Sequence, residues 1–264
     1  MKRARLVMVF AALCAAALGA QTPAEVRGKK VLDDAIAALG GNKFLEMQDR
    51  IETGRAYSFY RDDLSGLSIA TIYTRYLTVD PQKSAHELGQ RERQSFGKNE
   101  DSAIVLLEDR GANITYRGPK PIPLEEFERY QETTLHNIFY ILRQRLHEPG
   151  MEFEFMGSDV VDRVPVNIVD LIDAENFTVR VYFHQTSKLP VKQSFWRLDP
   201  KTKERDEEVT RFDRYRGDQG IQWPQQITRE RNRDKIYQIF ADSVTFNQDL
   251  TDDLFTIAPL SKKK

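Results

Sequence analysis

The sequence predicts a mainly β protein in which helices are laid over an antiparallel sheet, and three observations carry that reading. Strand-length runs with two-residue alternation recur from Ile51 to Phe246. Nearly all the connections between them are short and polar, as in an antiparallel meander. The period turns helical in two places, near the start of the chain and over 124–147.

The first twenty residues are set apart. Lys2, Arg3 and Arg5 precede an apolar run from Leu6 to Leu18, then Gly19 and Ala20, the pattern of a cleaved secretory signal and so of a periplasmic protein. The run is short for a membrane span. Leu13 before Cys14, the one cysteine, is too bulky for lipid attachment there, and cleavage after Ala20 leaves no thiol. Residues 21–264 carry no Gly/Ser-rich or Pro-rich linker and are expected to form one domain. Without the three signal cations, 36 basic residues face 40 acidic ones, a net charge of −4 that argues against nucleic acid as a partner. Lys262, Lys263 and Lys264 read as a solvated tail with at most peripheral membrane contact.

Thr22, Pro23 and Glu25 form an N-cap, a helix-compatible first position and a capping-box carboxylate. Leu32, Ile36 and Leu39 then fall on one helical face, which Gly40 and Gly41 close. Strands are expected at Ile51–Tyr60, Leu67–Val79, Lys83–Phe96 and Ser102–Tyr116. The second is apolar on both faces, as for a strand covered on two sides. Residues 118–123, Gly-Pro-Lys-Pro-Ile-Pro, are expected to break the sheet, because successive prolines remove ladder donors.

Leu124–His147 is expected to be one long helix whose stripe comprises Leu124, Phe127, Leu135, Ile138, Phe139, Leu142 and Leu146, ended by Pro149 and Gly150. Such a helix serves equally as a lid over an open barrel or as core packing on one sheet face. Strands follow at Met151–Gly157, Val160–Asp173, Phe177–His184, Val191–Leu198, Glu207–Tyr215, Ile221–Glu230 and Ile236–Phe246. Pro224 fits best near an edge or a strand start.

Nothing in the chain reads as an active site. No G-x-S-x-G, H-E-x-x-H, P-loop or G-x-G-x-x-G occurs, so no catalytic residue, metal or cofactor is assigned. On one helix His136 and His147 would lie about 16 Å apart, too far to share a metal. His86 and His184 read as strand residues with structural roles. The neighbouring pairs Asp33/Asp34, Glu125/Glu126, Glu207/Glu208 and Asp252/Asp253 diverge from one another and read as solvated faces.

Three stretches carry a resemblance: V-Y-F-H-Q-T-S-K-L-P-V-K at 181–192, F-D-R-Y-R-G-D-Q-G-I-Q-W-P at 212–224 and V-T-F-N-Q-D-L-T-D-D-L-F-T-I-A-P at 244–259. In these and in layout the chain resembles the periplasmic outer-membrane lipoprotein-sorting (lipoprotein carrier, LolA-like) superfamily. The resemblance implies an open, curved antiparallel half-barrel with covering helices and an apolar cavity for lipid or lipoprotein acyl chains. It implies that 124–147 covers the cavity, that the N-terminal helix leans across the same mouth, and that a buried arginine ties lid to barrel. Arg55, Arg75 and Arg180 are strand arginines, and no local feature singles one out. The wall residues expected for such a cavity are Tyr57, Phe59, Tyr73, Phe153, Phe155, Phe183, Phe195, Trp223 and Phe240, with Phe127 and Phe139 from the long helix. Each of them fits plain core packing as well. The alternative on the same scaffold is an interaction or envelope-stress sensor module with envelope-protein partners and a filled core.

Overall fold

The structure is a computed structural model that describes residues 22–199 and 202–260. The expected signal segment and the terminal lysines lie outside the described residues.

Helix α1 (Pro23–Leu39) starts as its sequence dictates. Thr22 accepts from the Glu25 amide and Glu25 accepts from the Thr22 amide, closing the capping box. Leu32, Ala35, Ile36 and Leu39 are buried on one face, and the short helix α2 (Asn42–Leu45) adds Phe44 to the same core. Gly28 brings α1 close to the sheet: a Cβ there would stand 2.1 Å from the Phe153 carbonyl oxygen.

Thirteen strands follow: β1 (Asp49–Tyr60), β2 (Asp63–Tyr76), β3 (Gln90–Phe96), β4 (Ser102–Leu106), β5 (Gly111–Thr115), β6 (Gly118–Pro121), β7 (Glu152–Val161), β8 (Val164–Ile172), β9 (Thr178–His184), β10 (Pro190–Leu198), β11 (Arg205–Asp218), β12 (Ile221–Arg231) and β13 (Asp234–Phe246). All lie in one open, curved antiparallel sheet of order β6-β5-β4-β3-β2-β1-β13-β12-β11-β10-β9-β8-β7. Two meanders, β1–β6 and β7–β13, run outward from a seam where β1 pairs with β13, Arg50 opposite Phe246 and Glu52 opposite Val244. The chain between β6 and β7 must therefore travel from one edge of the sheet to the other, and it does so as helices.

Several expected elements change at their ends. The 102–116 strand is two, β4 and β5, turned at Leu107–Arg110, where the Leu107 amide donates to the Arg110 carbonyl. Residues 118–121 do not break the sheet but form its edge strand β6, where Pro119 and Pro121 need no second partner. The segment before Gln90 is turns rather than strand, so His86 is off the sheet and exposed. Pro224 sits inside β12 opposite Tyr215, yet pairing with β13 begins only at Gln226, so its missing N–H leaves no gap in that ladder.

The expected single helix over 124–147 is also broken. It comprises α3 (Leu124–Leu135), α4 (Ile138–Tyr140) and a π-helical turn at Ile141–Arg145. Buried Gln193 of β10 stabilises the break, its side chain accepting from the Ile138 amide at 2.8 Å and donating to the His136 carbonyl at 3.1 Å. Asn137 caps α4 through the Phe139 amide. This division matters for the site, because α4 and the π turn sink into the main core with Ile138, Phe139, Ile141 and Leu142, whereas α3 does not.

The main core lies between α1, α4 and the β7–β13 half of the sheet. A second apolar cluster on the other half joins Val105, Ala112 and Ile114 to Phe255 of a 3₁₀ turn (Asp252–Phe255), with Leu250, Leu254, Ile257 and Leu260 of the C-terminal segment packed on it. Leu106, one residue along β4, points the other way and meets Ile122 and Phe127 beneath α3. These strands are thus covered on both faces.

One arginine is wholly buried, and it lies on the covering segment rather than on a strand. Arg145 Nε and Nη2 donate to Glu148 at 2.6 and 2.8 Å, Nη2 to Asp173 at 3.1 Å and Nη1 to the Leu135 carbonyl at 3.0 Å. Glu148 also accepts from Ser84. One side chain thus joins the end of α3, the π turn and the turn after β8.

Candidate ligand-binding site

A cavity of about 400 Å³ lies beneath α3, over the seam between the two meanders. Its size is that of an ordinary small-molecule site. Its roof is the face of α3 that carries Glu126, Arg129, Tyr130, Thr133 and Thr134, spaced as one helical stripe, followed by Asn137. Arg50 and Tyr76 line it from β1 and β2, and Gln90, Glu92 and Gln94 from β3. Thr210, Trp223, Ile227, Arg229 and Arg231 line it from β11 and β12.

Why this space stays open follows from those residue types. The apolar stripe expected for 124–147 does not run along α3: Leu124 is exposed, and α3 buries only Phe127 and Leu135. Phe127 anchors one end of α3 on Leu106 and Ile122, and Leu135 the other on Leu88 and Tyr140. Between the anchors the helix offers polar side chains to a sheet face that is itself polar, and neither side can collapse onto the other as an apolar pair would. Glu132 on the flank of α3 holds Arg197 of β10 at 3.2 Å.

One part of the lining is apolar. Phe139 and Trp223 stand 4.6 Å apart between ring centroids and belong to the main core, so the cavity abuts that core there. The Arg50 guanidinium lies over the Trp223 ring at 4.2 Å, a cation–π contact, and donates to Thr74 Oγ1.

The polar part is a set of enclosed charges. Glu52 Oε2 is 3.9 Å from Arg50 Nε, and burial pushes the Glu52 carboxyl above its ordinary range against the pull of Arg50. Burial likewise raises Glu92, which accepts from Gln94 at 2.6 Å. Arg231 is paired across strands with buried Glu208 at 2.8 Å, and Glu208 also accepts from Arg197. The pair Glu207/Glu208 is therefore not a solvated face throughout, since Glu208 is buried among cations. Burial lowers both Arg129 and Arg229, with the charge of Arg231 adding to the effect. The Tyr130 hydroxyl accepts from Gln90 Nε2 at 3.1 Å, and burial lifts that hydroxyl well above the usual range.

Comparison with models of known protein families finds no match, and comparison with curated proteins finds none. Solved structures do match. A DUF1329 family protein from Desulfovibrio piger superposes with a TM-score of 0.55 at 13% identity, over 86% of this chain and 96% of that one. A protein described as an outer membrane lipoprotein-sorting protein domain, from Vibrio parahaemolyticus, gives 0.55 at 11% identity over 86% and 97%. A LolA superfamily protein from Nitrosomonas europaea gives 0.52 at 11% over 87% and 97%. The chain shares the fold of these structures.

Within this fold the expected wall residues go to different places. Phe139 and Trp223 line the cavity. Phe183 and Phe195 are buried in the main core, and Phe153 and Phe155 pack half-buried against it from β7, which lies beneath α1. Phe127 anchors α3. Tyr73 packs on the C-terminal cluster and donates to Glu100 at 3.0 Å. Tyr57 and Phe240 meet edge to face at 5.8 Å away from the cavity, and Phe59 lies under Lys235. No α1 residue lines the cavity, so this helix packs on the sheet beside the site rather than across its mouth.

His136 stacks on Phe177 at 3.7 Å between centroids, and no group of three or more metal-ligating side chains occurs among the described residues. Sequence reasoning missed the charged lining altogether. A signal was there: β3 reads Gln-Arg-Glu-Arg-Gln and β12 ends Thr-Arg-Glu-Arg, polar on both faces of central strands, which leaves no apolar face to pack.

Proposed function

We propose that this chain is a non-enzymatic, exported binding or carrier protein that holds a lipid-like ligand in the cavity between sheet and α3. The observation that carries the reading is the cavity itself, roofed by a helix anchored only at its two ends and walled partly by Phe139, Trp223 and Ile227. Burying an acyl chain on that surface supplies about 0.8 kcal/mol per methylene. The fold shared with the lipoprotein-sorting domain supports the reading, as does the signal-like segment at 1–20. Among the described residues no helix is long and apolar enough to cross a membrane.

Trp223 provides the test. In a Trp196→Phe background, which removes the exposed indole, titration with a long-chain amphiphile below its micelle concentration is expected to shift Trp223 emission saturably. Emission unchanged at every concentration contradicts a ligand in this cavity. Envelope-protein docking is a second reading, favoured by the exposed apolar groups Tyr60, Leu64, Leu67 and Ile69 on the β1–β2 hairpin. Leu67→Ser is expected to leave ligand uptake intact while weakening capture of any such partner.

A further inference from the structure

Two of the four arginines around the cavity lie outside its hydrogen-bonded pairs. Arg231 is tied to Glu208, and Arg50 sits over Trp223 with Thr74 and Glu52 beside it. Arg129 and Arg229 make no hydrogen bond and no ion pair among the described residues, although both line the enclosure. The carboxylates nearby act on them only from beyond ion-pair distance: Glu208 and Glu125 attract Arg129, and Glu208 and Glu92 attract Arg229, while the close contacts of Glu208 go to Arg197 and Arg231 and those of Glu92 to Gln94. Glu126 lies at the exposed start of α3. A half-buried guanidinium whose donors make no hydrogen bond is open to an added oxyanion.

Beside them Arg50 Nε, Trp223 Nε1 and Glu52 Oε1 are buried without a close hydrogen bond, and the Glu52 carboxylate neighbours both Arg50 and Trp223. Burial lowers Arg129 and Arg229 against the pull of Glu208, and an added anion would act in the same sense as Glu208.

We propose that the cavity takes an amphiphile with an acidic oxyanion head, a phosphate ester or a carboxylate, the head accepting from Arg129 and Arg229 while the chain lies on Phe139, Trp223 and Ile227. This rests on the carrier reading of the same cavity. Guanidinium is suited to such a head because its fork of donors matches two oxygens at once.

The test is calorimetric titration of the delipidated protein with three probes: oleoyl lysophosphatidate, monooleoylglycerol with the same chain and no charge, and inorganic phosphate. The acidic lipid is expected to bind about tenfold or more tightly than the neutral one, the factor of one charge-assisted hydrogen bond. Arg229→Gln and Arg129→Gln are each expected to remove that advantage, so that the acidic lipid binds the variant no more tightly than monooleoylglycerol does. Equal binding of the two lipids, or an advantage that survives both substitutions, overturns the anion site while the carrier reading stands. Inorganic phosphate binding as tightly as the acidic lipid keeps the two arginines as an anion site and overturns the carrier reading. Binding of none of the three overturns both.

Discussion

At the scale of single residues, the covering segment is held by charge. Arg145 is 1% exposed and its partners Glu148 and Asp173 are nearly as buried, so removing the cation leaves carboxylates that water cannot reach. Arg145→Met is expected to cost about 3 kcal/mol or more, read by urea unfolding. Asp173 gives the pH dependence. Burial alone would raise its carboxyl, but hydrogen bonds from His136, the Phe177 amide and Arg145 hold it well below the usual carboxylate range. A carboxyl depressed in the folded state contributes stability above its unfolded pKa, here 3.8, and loses it as pH falls toward the folded value. Asp173→Asn is accordingly expected to cost roughly 2 kcal/mol at pH 7 and progressively less below pH ~4. A deficit independent of pH would assign the effect to packing. Neither role was legible in sequence, because Arg145 and Asp173 become neighbours only through the crossing of the sheet.

At the scale of elements, what local chemistry determines was legible and what tertiary contact determines was not. The capping box at Thr22 and Glu25, the buried face of α1 and most strand bodies follow from period and turn chemistry. The break after Leu135 does not, since it depends on Gln193, a strand residue 55 positions from Ile138. Nor does the edge role of residues 118–121, where proline is excluded from a sheet interior and accepted at its margin. Two element-level predictions follow from close packing. Gly28→Ala places a methyl against the β7 backbone and is expected to cost about 1–3 kcal/mol, lowering Tm by about 2–4 °C per kcal/mol. Phe255→Ala empties the centre of the cluster on β4 and β5 and is expected to cost about 3–5 kcal/mol, with the C-terminal segment losing amide-exchange protection first. An unchanged Tm in either variant would mean that the packing at that point is looser than the distances state.

At the scale of the molecule, the site is a consequence of topology. An open sheet whose two meanders meet at β1 and β13 leaves its free edges, β6 and β7, at opposite ends, and the connection between them has to cross one face. Where that connection is apolar, as in α4 and the π turn, it becomes core; where it is polar, as in α3, it stands off and encloses a cavity. The half-barrel with covering helices was legible from strand count, short turns and the three stretches that resemble lipoprotein carriers. The aromatic residues expected to form an acyl cavity mostly pack into the core, with Phe139 and Trp223 left at the cavity wall, because period alone does not separate a wall from a core. Of the charges at the site only Glu126 and Glu208 figure in the sequence reading, each in a pair read as a solvated face. Native mass spectrometry of the protein isolated from a cell envelope, followed by organic extraction, tests the central claim most directly. The account predicts one copurifying amphiphile at close to one per chain, displaced in Phe139→Asp. A clean ligand-free mass that takes up no added lipid would contradict it.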